Sequence, residues 1–337
     1  MPAHQVVVDA YTHWAAPELL EYLDRAGGKK GPYNAFYDAN PLFHDVGARL
    51  EYMDEFGIEA SILAPTPWIE SAPAVAQDPA KFLEAVRVCN DAQAKVARTA
   101  PDRLLNLAWL PSFSGEAMVA ELDRAVNRLG MVGCELPVGP TLKRMDHPDM
   151  EALYAYAEKI GAPIWLHPAR PITWADYADE TESKYNDWQM LGWLHDTSSA
   201  MIRVVMSGVF DRYPELKIIA HHAGAMVPQF AGRMVACWAD FEGSGASMGT
   251  SISKPYIEHF KKFYIDTAIF AHDPALLHHA WEFFGPEKTL FGSDTPYEPT
   301  PGAFVSASRS SVAAMPITDE QKSLIYTGNV KRLLNRT

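Results

Sequence analysis

In PIWLHP, residues 163–168, an apolar run ends in histidine and proline, and the predicted fold rests on this pattern. Such a run is typical of a strand in a buried parallel sheet, and it places His167 at the carboxyl end of that strand. Three other stretches share the design, an apolar run followed by histidine or aspartate: VVVDAYTH (6–13), LKIIAHHAG (216–224) and LFGSDTP (290–296). In a barrel of parallel strands these ends meet at one face, so we expect one site there.

Strand-like runs alternate with helical patterns along the chain. Eight runs are short and apolar on both faces: Val6–Asp9, Ala60–Ala64, Leu104–Ala108, Gly133–Leu136, Pro163–His167, Lys217–His221, Phe263–Asp266 and Thr289–Gly292. This alternation predicts an α/β fold, a (β/α)8 TIM barrel that forms a single domain over residues 1–337. Long irregular stretches follow strands one, five and eight, and we expect them to overhang the same face as loop insertions: Trp14–Phe43, Pro168–Leu191 and Thr295–Pro316.

The bulk composition argues against several classes of partner. The 337 residues carry a formal net charge of −13 and no basic stripe, so neither nucleic acid nor an anionic membrane surface is expected to bind. No run approaches the roughly 18 apolar residues of a membrane span, and the N-terminal residues do not match a signal peptide. The three cysteines form no CxxC pair, so we expect free thiols in a cytoplasmic protein.

Histidine and aspartate at the strand ends are candidates for holding a metal ion. A lone histidine at such a place is more often a satisfied polar residue than a ligand, so the case rests on convergence. His13 follows strand one, and Asp294 would be expensive to bury without a cation or a hydrogen-bond cluster. His221 and His222 are adjacent, so in an extended strand they face opposite ways. Both reach the site only if the strand has already ended.

Loop residues above the same face are candidates for a substrate pocket. They are four aromatic side chains and one cation: Trp68, Arg170, Trp174, Phe270 and Tyr297. Arg170 is suited to gripping a carboxylate with two hydrogen bonds, although each of these residues could equally serve loop packing. Asp266 ends strand seven and faces the same region, as a hydrogen-bonded helper or with a direct role.

An ordered set of motifs resembles the amidohydrolase-related family that contains aminocarboxymuconate semialdehyde decarboxylase and γ-resorcylate decarboxylase. The motifs are MDEFGIEASILAPTP (53–67), SGVFDRYPELKII (207–219), HAGAMVPQFAGR (222–233), FGSDTP (291–296) and GNVKRLL (328–334). The resemblance covers nearly the whole chain and implies a barrel of the metal-dependent hydrolase type with one divalent metal, usually zinc or manganese. It places the metal ligands on His13, His167 and Asp294, and the catalytic histidine after strand six on His222.

Two departures from the family pattern affect the expected chemistry. Tyr11 stands where the family usually has histidine or glutamate, and phenolate is an uncommon zinc ligand that binds ferric iron. His221 stands where the family usually has a small residue, so it could serve a second metal ion, and Glu298 could contribute to that ion. These changes also resemble a small set of amidohydrolase-fold proteins that hold two metals and hydroxylate C–H bonds.

Three functions are compatible with the sequence. The preferred one is a metal-dependent carbon–carbon lyase (decarboxylase) or hydrolase for a small carboxylated or aromatic substrate, in which His222 protonates carbon or activates water, assisted by Tyr11 and Asp294. The second is a dinuclear iron/iron or manganese/iron oxygenase whose ions are shared among Tyr11, His13, His167, His221, His222, Asp294 and Glu298. The third is a non-catalytic, metal-bearing subunit. That subunit would support an active paralogue in a hetero-oligomer, whereas the resemblance implies a dimer or larger homo-oligomer.

Overall fold

The computed structural model describes residues 5–26, 37, 39–66, 72–140 and 142–335. Its centre is an eight-stranded sheet in which the strands follow chain order. All neighbouring strands are parallel. The strands are β1 (Val7–Trp14), β2 (Ile58–Pro65), β3 (Leu104–Trp109), β4 (Gly133–Val138), β5 (Ile164–Pro168), β6 (Ile218–Ala220), β7 (Tyr264–Asp266) and β8 (Thr289–Leu290). Each of the eight predicted strands is therefore present, with shifted ends.

Backbone hydrogen bonds between β1 and the chain just after β8 close the sheet. The His13 N–H donates to Thr295 O at 2.6 Å, and the Asp294 N–H donates to Tyr11 O at 3.0 Å. These bonds hold the end of β1 beside the segment that carries Asp294. The (β/α)8 barrel predicted from the sequence is confirmed.

Helices follow most of the strands and pack around the barrel. The longer ones are α1 (Pro17–Arg25), α2 (Val46–Glu55), α4 (Pro79–Ala97), α5 (Gly115–Leu129), α6 (Asp149–Ile160), α7 (Trp193–Met206), α9 (Val227–Gly243), α11 (Pro274–Phe284) and α12 (Ala303–Ala314). The shorter ones are α3 (Pro73–Ala76), α8 (Val209–Arg212), α10 (Ile257–Phe260), α13 (Asp319–Ser323) and α14 (Asn329–Leu333), with a 3-10 turn at Pro41–Phe43 and π-helical turns at Trp188–Gly192 and Leu324–Gly328. None of the described helices combines the length and hydropathy that crossing a bilayer requires.

Two of the three stretches predicted to be irregular contain helices. The stretch Trp14–Phe43 contains α1, because the apolar residues Leu19, Tyr22 and Leu23 recur at helical spacing and are buried against the barrel. The stretch Thr295–Pro316 contains α12, whose serine-rich sequence hides its helical character. β1 also extends beyond its predicted end to Trp14, since it pairs with β2 past an irregularity in register. Residues 27–36 and 38 of the first stretch lie outside the described residues.

Alternate side chains of the strands fill the interior of the barrel. They form an apolar cluster that includes Val8, Ala10, Tyr11, Ile62, Leu107, Trp165, Ile219 and Leu290. Successive side chains of a strand point to opposite faces, so a residue two positions after an inward-facing one also faces inward. His167 follows Trp165 by that interval, and His221 follows Ile219 by the same interval. The periodicity of the strands therefore directs both imidazoles toward the barrel axis, at its carboxyl-terminal mouth.

Candidate metal centre and pocket

Three side chains from distant parts of the chain meet at the mouth of the barrel. His13 lies near the end of β1, His167 near the end of β5, and Asp294 shortly after β8. All three are buried, and one potential ligand atom of each lies within 4.8 Å of the others. His13 Nε2 is 2.9 Å from Asp294 Oδ1. The structure thus brings together the three residues on which the sequence analysis centred.

His221 and His222 both reach the same site. β6 ends at Ala220, and the chain then turns, with positive φ values of 58° at His222 and 55° at Ala223. His221 Nε2 lies 3.5 Å from Asp294 Oδ1, and His222 Nε2 lies 3.6 Å from Asp294 Oδ2. The sequence left open whether the strand ends before these two histidines. In the structure it does, so both side chains can face the site.

Unfavourable backbone conformations are concentrated around these side chains. His222, Phe270 and Asp294 have φ values of 58°, 63° and 65°, in the left-handed region that residues with a Cβ atom seldom adopt. Such conformations cost of order 1–3 kcal/mol each and persist where the surrounding structure imposes them, commonly at functional sites. Here they aim His222 and Asp294 into the barrel mouth.

Asp266, at the end of β7, holds the two adjacent histidines. Its carboxylate contacts His221 Nδ1 and accepts the backbone N–H of His222 at 3.1 Å. Burial opposes the charging of His221, but the carboxylates of Asp266 and Asp294 outweigh burial and raise the pKa of His221 to about 10. The sequence allowed two roles for Asp266, as a hydrogen-bonded helper or as a direct participant. This geometry favours the helper, which positions the two histidines.

The buried donors fit a bound cation. His13 Nδ1, His167 Nδ1 and both ring nitrogens of His222 are buried without a hydrogen-bond partner among the described residues. A buried polar atom without a partner costs free energy, which coordination of a cation would recover. Burial, with His13 and His221 nearby, holds the pKa of His167 well below its usual range, so this imidazole is in the neutral form that binds metals. Burial alone would raise the pKa of Asp294, but His221 and His13 hold it well below its usual range.

Replacement of Asp266 by alanine should lower turnover without removing any of the proposed metal ligands. Its carboxylate holds His221 and the backbone N–H of His222, so we expect kcat to fall about 10- to 100-fold, the usual effect of losing a carboxylate that orients a functional histidine, with little change in manganese affinity. Initial rates and calorimetric titration of metal-free protein with manganese measure the two effects. Asp266→Asn should lose less activity, because its side-chain oxygen can still accept the His222 N–H. Wild-type kcat in the alanine variant would show that Asp266 does not position the two histidines.

Tyr11 donates a hydrogen bond instead of offering a phenolate. Its hydroxyl lies 2.7 Å from Glu135 Oε2, and both residues are fully buried. Burial, reinforced by Glu135 and Asp294, raises the pKa of Tyr11 well above its usual value. The Tyr11 ring also stacks on His167, with centroids 5.6 Å apart. Of the roles predicted for Tyr11, ligand or hydrogen-bond donor, the geometry favours the donor.

Glu298 does not join the group of metal-capable side chains. Its Oε1 accepts the Tyr52 hydroxyl at 2.8 Å and the Gly302 N–H at 2.9 Å, and its Oε2 accepts the Phe304 N–H at 2.9 Å. This geometry does not support the predicted contribution of Glu298 to a second metal ion, because its carboxylate fixes the start of α12. Sequence proximity to Asp294 was the only reason for including it.

A cavity of about 930 Å³ opens from the metal-capable group. Of the residues predicted to form a pocket, Arg170, Phe270 and Tyr297 line it, together with His13, His167 and Asp294. Arg170 Nε donates to Asp196 Oδ2 at 3.2 Å, and its guanidinium lies 5.5 Å from the Trp174 ring centroid. Trp174 is not among the described lining residues and packs on Arg170 instead, so its predicted contact with substrate is not supported. Trp68 lies outside the described residues.

Sequence reasoning missed two residues of the site. Glu135 is a buried acid in β4, and its strand position was the only signal that it faces the barrel. Trp193 lines the cavity, and its ring is nearly parallel to that of His222, with centroids 6.4 Å apart. Its indole N–H donates to Arg170 O at 3.0 Å. Trp193 follows a π-helical turn, whose extra residue per turn no sequence pattern indicated.

The comparison with known proteins agrees with this geometry. The γ-resorcylate decarboxylase of Rhizobium radiobacter is 29% identical over 301 residues, which cover 85% of this chain and 86% of that protein. The crystal structure of a 2,6-dihydroxybenzoate decarboxylase from Rhizobium matches with a TM-score of 0.79 and 27% identity, over 98% of this chain and 99% of that one.

Two further findings concern the fold and the family. A dihydroxybenzoic acid decarboxylase from Polaromonas sp. JS666, solved with bound manganese and the inhibitor 2-nitroresorcinol, shares the fold with a TM-score of 0.80 at 23% identity, over 99% of this chain and 98% of that one. A model of the amidohydrolase family matches residues 8–336. Since this match spans nearly the whole sequence, the chain belongs to the amidohydrolase family and is an enzyme of the metal-dependent decarboxylase or hydrolase type that its motifs predicted.

Proposed function

We propose that this chain is a metal-dependent decarboxylase of an aromatic carboxylic acid. The observation that carries the proposal is the position of Asp294, which belongs to one group with His13 and His167 and to another with His221 and His222. A carboxylate in that position joins a site for a cation to a site for proton transfer. The relatives described above are named for the decarboxylation of hydroxybenzoic acids, which supports the same reaction here.

His13, His167 and Asp294 would hold one divalent ion. Two imidazoles and a carboxylate suit zinc or manganese, and three protein ligands leave coordination positions open for substrate oxygens. When bound, the ion supplies Lewis-acid chemistry by neutralising the negative charge of the substrate oxygens. Manganese in the Polaromonas structure supports the choice of that metal for the first reconstitution.

His222 is suited to deliver a proton to the ring carbon. Decarboxylation forms a C–H bond at the carbon that carried the carboxylate, the C–C bond breaks, its electron pair restores the ring, and carbon dioxide leaves. His222 Nε2 lies 3.6 Å from Asp294 Oδ2, so the carboxylate can support the imidazole when it carries the proton. Trp193 and Phe270 contact the His222 ring, with centroids 6.4 and 5.2 Å away, and keep water from that side.

Arg170 would bind a polar edge of the substrate. Its guanidinium is directed by the Asp196 carboxylate through Nε and Nη2, which leaves Nη1 for a further hydrogen bond. Gly192 makes room for it, because a Cβ atom at that position would lie 2.8 Å from Arg170 Cδ. Phe270 and Tyr297 supply aromatic walls that match a planar ring.

A panel of aromatic acids tests the proposed function. Protein stripped with a chelator and reconstituted with manganese or zinc is incubated with salicylate, 2,6-dihydroxybenzoate and benzoate, and carbon dioxide is measured. We expect release from at least one hydroxylated acid, dependence on the added metal, and little release from benzoate, whose ring lacks a hydroxyl group to assist protonation. Full metal loading with no carbon dioxide from any acid of a broad aromatic panel would contradict the proposal.

The second candidate function is that of a dinuclear oxygenase, and one observation favours it. Asp294 is shared by two groups of buried donors, an arrangement in which one carboxylate can bridge two ions. Elemental analysis of protein purified without added metal separates the candidates. About one zinc or manganese ion per chain supports the decarboxylase, whereas two iron or manganese ions with oxygen-dependent turnover support the oxygenase.

Tyr11→Phe should retain the metal and lose only part of the activity. The hydroxyl donates to Glu135 and does not point at the cation donors, so its removal should cost roughly 1 kcal/mol, the typical net value of one hydrogen bond. This corresponds to a decrease of about fivefold in kcat/KM, with unchanged metal content. Loss of metal together with a visible absorption band in the wild type would instead identify Tyr11 as an iron ligand and support the oxygenase.

We also propose that residues 1–337 form one domain and that two or more copies assemble. Apolar side chains are exposed along α9, namely Phe230 at 45%, Val235 at 44% and Phe241 at 48%. Phe230 and Phe241 are about three turns apart and lie on one side of α9, and an exposed apolar patch is a common surface for self-association. Light scattering of the purified protein should give a mass of at least two chains, and Phe230→Glu should lower it. A monomer at all concentrations would contradict the proposal.

A further inference from the structure

The cavity at the barrel mouth has an inner and an outer part. The inner part is lined by residues near β1, β5 and β8, including His13, His167 and Asp294, which are at most 3% exposed. The outer part lies over the loops after β2, β3 and β4. We call it the outer chamber and define it by the lining residues Pro73, Ala76, Phe82, Ser112, Phe113 and Leu142. The catalytic groups are thus at one end of a cavity that continues toward solvent.

The cavity is larger than a hydroxybenzoic acid requires. A benzoic acid with two hydroxyl groups has about eleven non-hydrogen atoms, whereas about 930 Å³ accommodates about thirty water-sized groups at roughly 30 Å³ each. Ligand pockets normally enclose most of the surface of their ligand. A single ring placed at the inner end would leave the outer chamber to water.

Most residues that define the outer chamber are apolar, although Ser112, Gln77 and His147 also line the cavity. Phe82 is buried and packs edge-on against Phe113, with ring centroids 6.2 Å apart. Phe113 is nevertheless 38% exposed, so it keeps apolar surface available for contact. Leu142, from the loop after β4, lines the same cavity. Covering an exposed aromatic surface with an apolar group is favourable at about 25 cal/mol per Å².

The cations at the rim do not make the outer chamber a second anion site. Lys143 forms an ion pair with Asp149, and Arg144 Nε lies 2.9 Å from Asp146 Oδ1. These carboxylates offset the positive charges, so the rim offers little net attraction for a second carboxylate or a phosphate. The outer chamber therefore selects by apolar contact.

We infer that the substrate is an aromatic acid with a large apolar substituent that occupies the outer chamber. This inference rests on the proposed function for its acidic head, which lies at the inner end near Arg170. The substituent contacts Phe82, Phe113 and Leu142, and its burial contributes affinity that the head alone does not have. These loop residues, and not the metal donors, then determine which acid is preferred.

Binding of matched ligands tests the inference without requiring turnover. The probes are 2,6-dihydroxybenzoate and its 3-phenyl and 4-phenyl derivatives, titrated calorimetrically into manganese-loaded protein. Two ring positions are used because the chamber lies to one side of the inner site. At least one phenyl derivative should bind tenfold or more tightly than the parent acid, because its ring is buried against the apolar side chains of the outer chamber; tenfold corresponds to about 1.4 kcal/mol. Equal or weaker binding of both derivatives, or no binding of any probe, overturns the inference.

Substitutions in the outer chamber test whether the phenyl substituent binds there. Phe113→Ala and Ala76→Trp should each reduce the advantage of the phenyl derivative at least fivefold and leave the affinity of the parent acid within twofold. Tyr177→Ala is the matched control, because Tyr177 is an aromatic residue that is 71% exposed and does not line the cavity. An unchanged advantage in both chamber variants, with wild-type melting temperatures, would place the substituent elsewhere and overturn the inference.

Carbon dioxide release is measured in parallel to keep the two proposals separate. Preferred binding of a phenyl derivative without carbon dioxide from any probe would refute the proposed function while supporting the role of the outer chamber. Carbon dioxide release from the parent acid with no preference for either derivative would support the function and refute the inference.

Discussion

Asp294→Asn is expected to remove the bound metal and to lower kcat/KM by about 10³-fold or more, which corresponds to about 4 kcal/mol of transition-state stabilisation. Asp294 supplies the negative charge of the centre and lies within 4.8 Å of donor atoms of His13 and His167. Its φ of 65° is a conformation that asparagine also tolerates, so the backbone should keep its path. Metal content after gel filtration and initial rates measure the two effects.

A matched control separates loss of the centre from a general effect of removing an acid. Asp102 is exposed in the loop before β3, and Asp102→Asn should keep wild-type metal content and activity. The melting temperature of each metal-free variant reports on folding. An Asp294→Asn protein that keeps one tightly bound ion per chain and more than a tenth of the wild-type activity would contradict the assignment of Asp294 as a ligand.

His222→Asn is expected to lower kcat by about 10²- to 10⁴-fold, the usual contribution of a general acid, while the first metal ion stays bound. Asparagine again tolerates the left-handed conformation, which His222 adopts with a φ of 58°. His222 belongs to the donor group opposite His13 and His167, so its loss should spare the ion held there. The expected signature is a large fall in kcat with a small change in manganese content.

The control for this substitution is His272→Asn. His272 is exposed, its ring contacts the Ser310 hydroxyl, and it does not line the cavity. Wild-type activity is therefore expected. If His222→Asn loses one of two bound ions per chain, His222 is a ligand of a second ion and the dinuclear function gains support. If most of the metal is lost while activity per bound ion stays normal, His222 is not the proton donor.

The fold and the inner end of the site could be predicted from the sequence because both follow from strand periodicity. Apolar runs ending in histidine or aspartate placed His13, His167 and Asp294 at one face, and the barrel brings their ligand atoms within 4.8 Å. The directions of the adjacent His221 and His222 side chains were harder to predict, because they depend on where β6 ends. The left-handed turn that follows β6 begins at His222 and Ala223, two residue types that do not signal a positive φ, before it reaches Gly224.

The remaining features depend on contacts between distant parts of the chain. The hydroxyl of Tyr11 is used by Glu135 from β4, which nothing in the sequence around Tyr11 indicated. The carboxylate of Glu298 is used by Tyr52 and the start of α12, although its place after Asp294 suggested the metal. Trp193 reaches His222 only because a π-helical turn precedes α7. Tertiary hydrogen bonds and irregular helix geometry thus decide which polar residues remain available for chemistry.

Isotope incorporation during turnover is the most direct test of whether this chain decarboxylates an aromatic acid. Metal-loaded protein is incubated without oxygen in D₂O with a hydroxylated aromatic acid labelled with ¹³C in its carboxyl group, and the gas and the aromatic product are analysed by mass spectrometry and NMR. We expect one labelled carbon dioxide per product molecule and one deuterium on the carbon that carried the carboxyl group. A product that keeps its carboxyl group, or turnover that occurs only with oxygen and adds an oxygen atom, would contradict it.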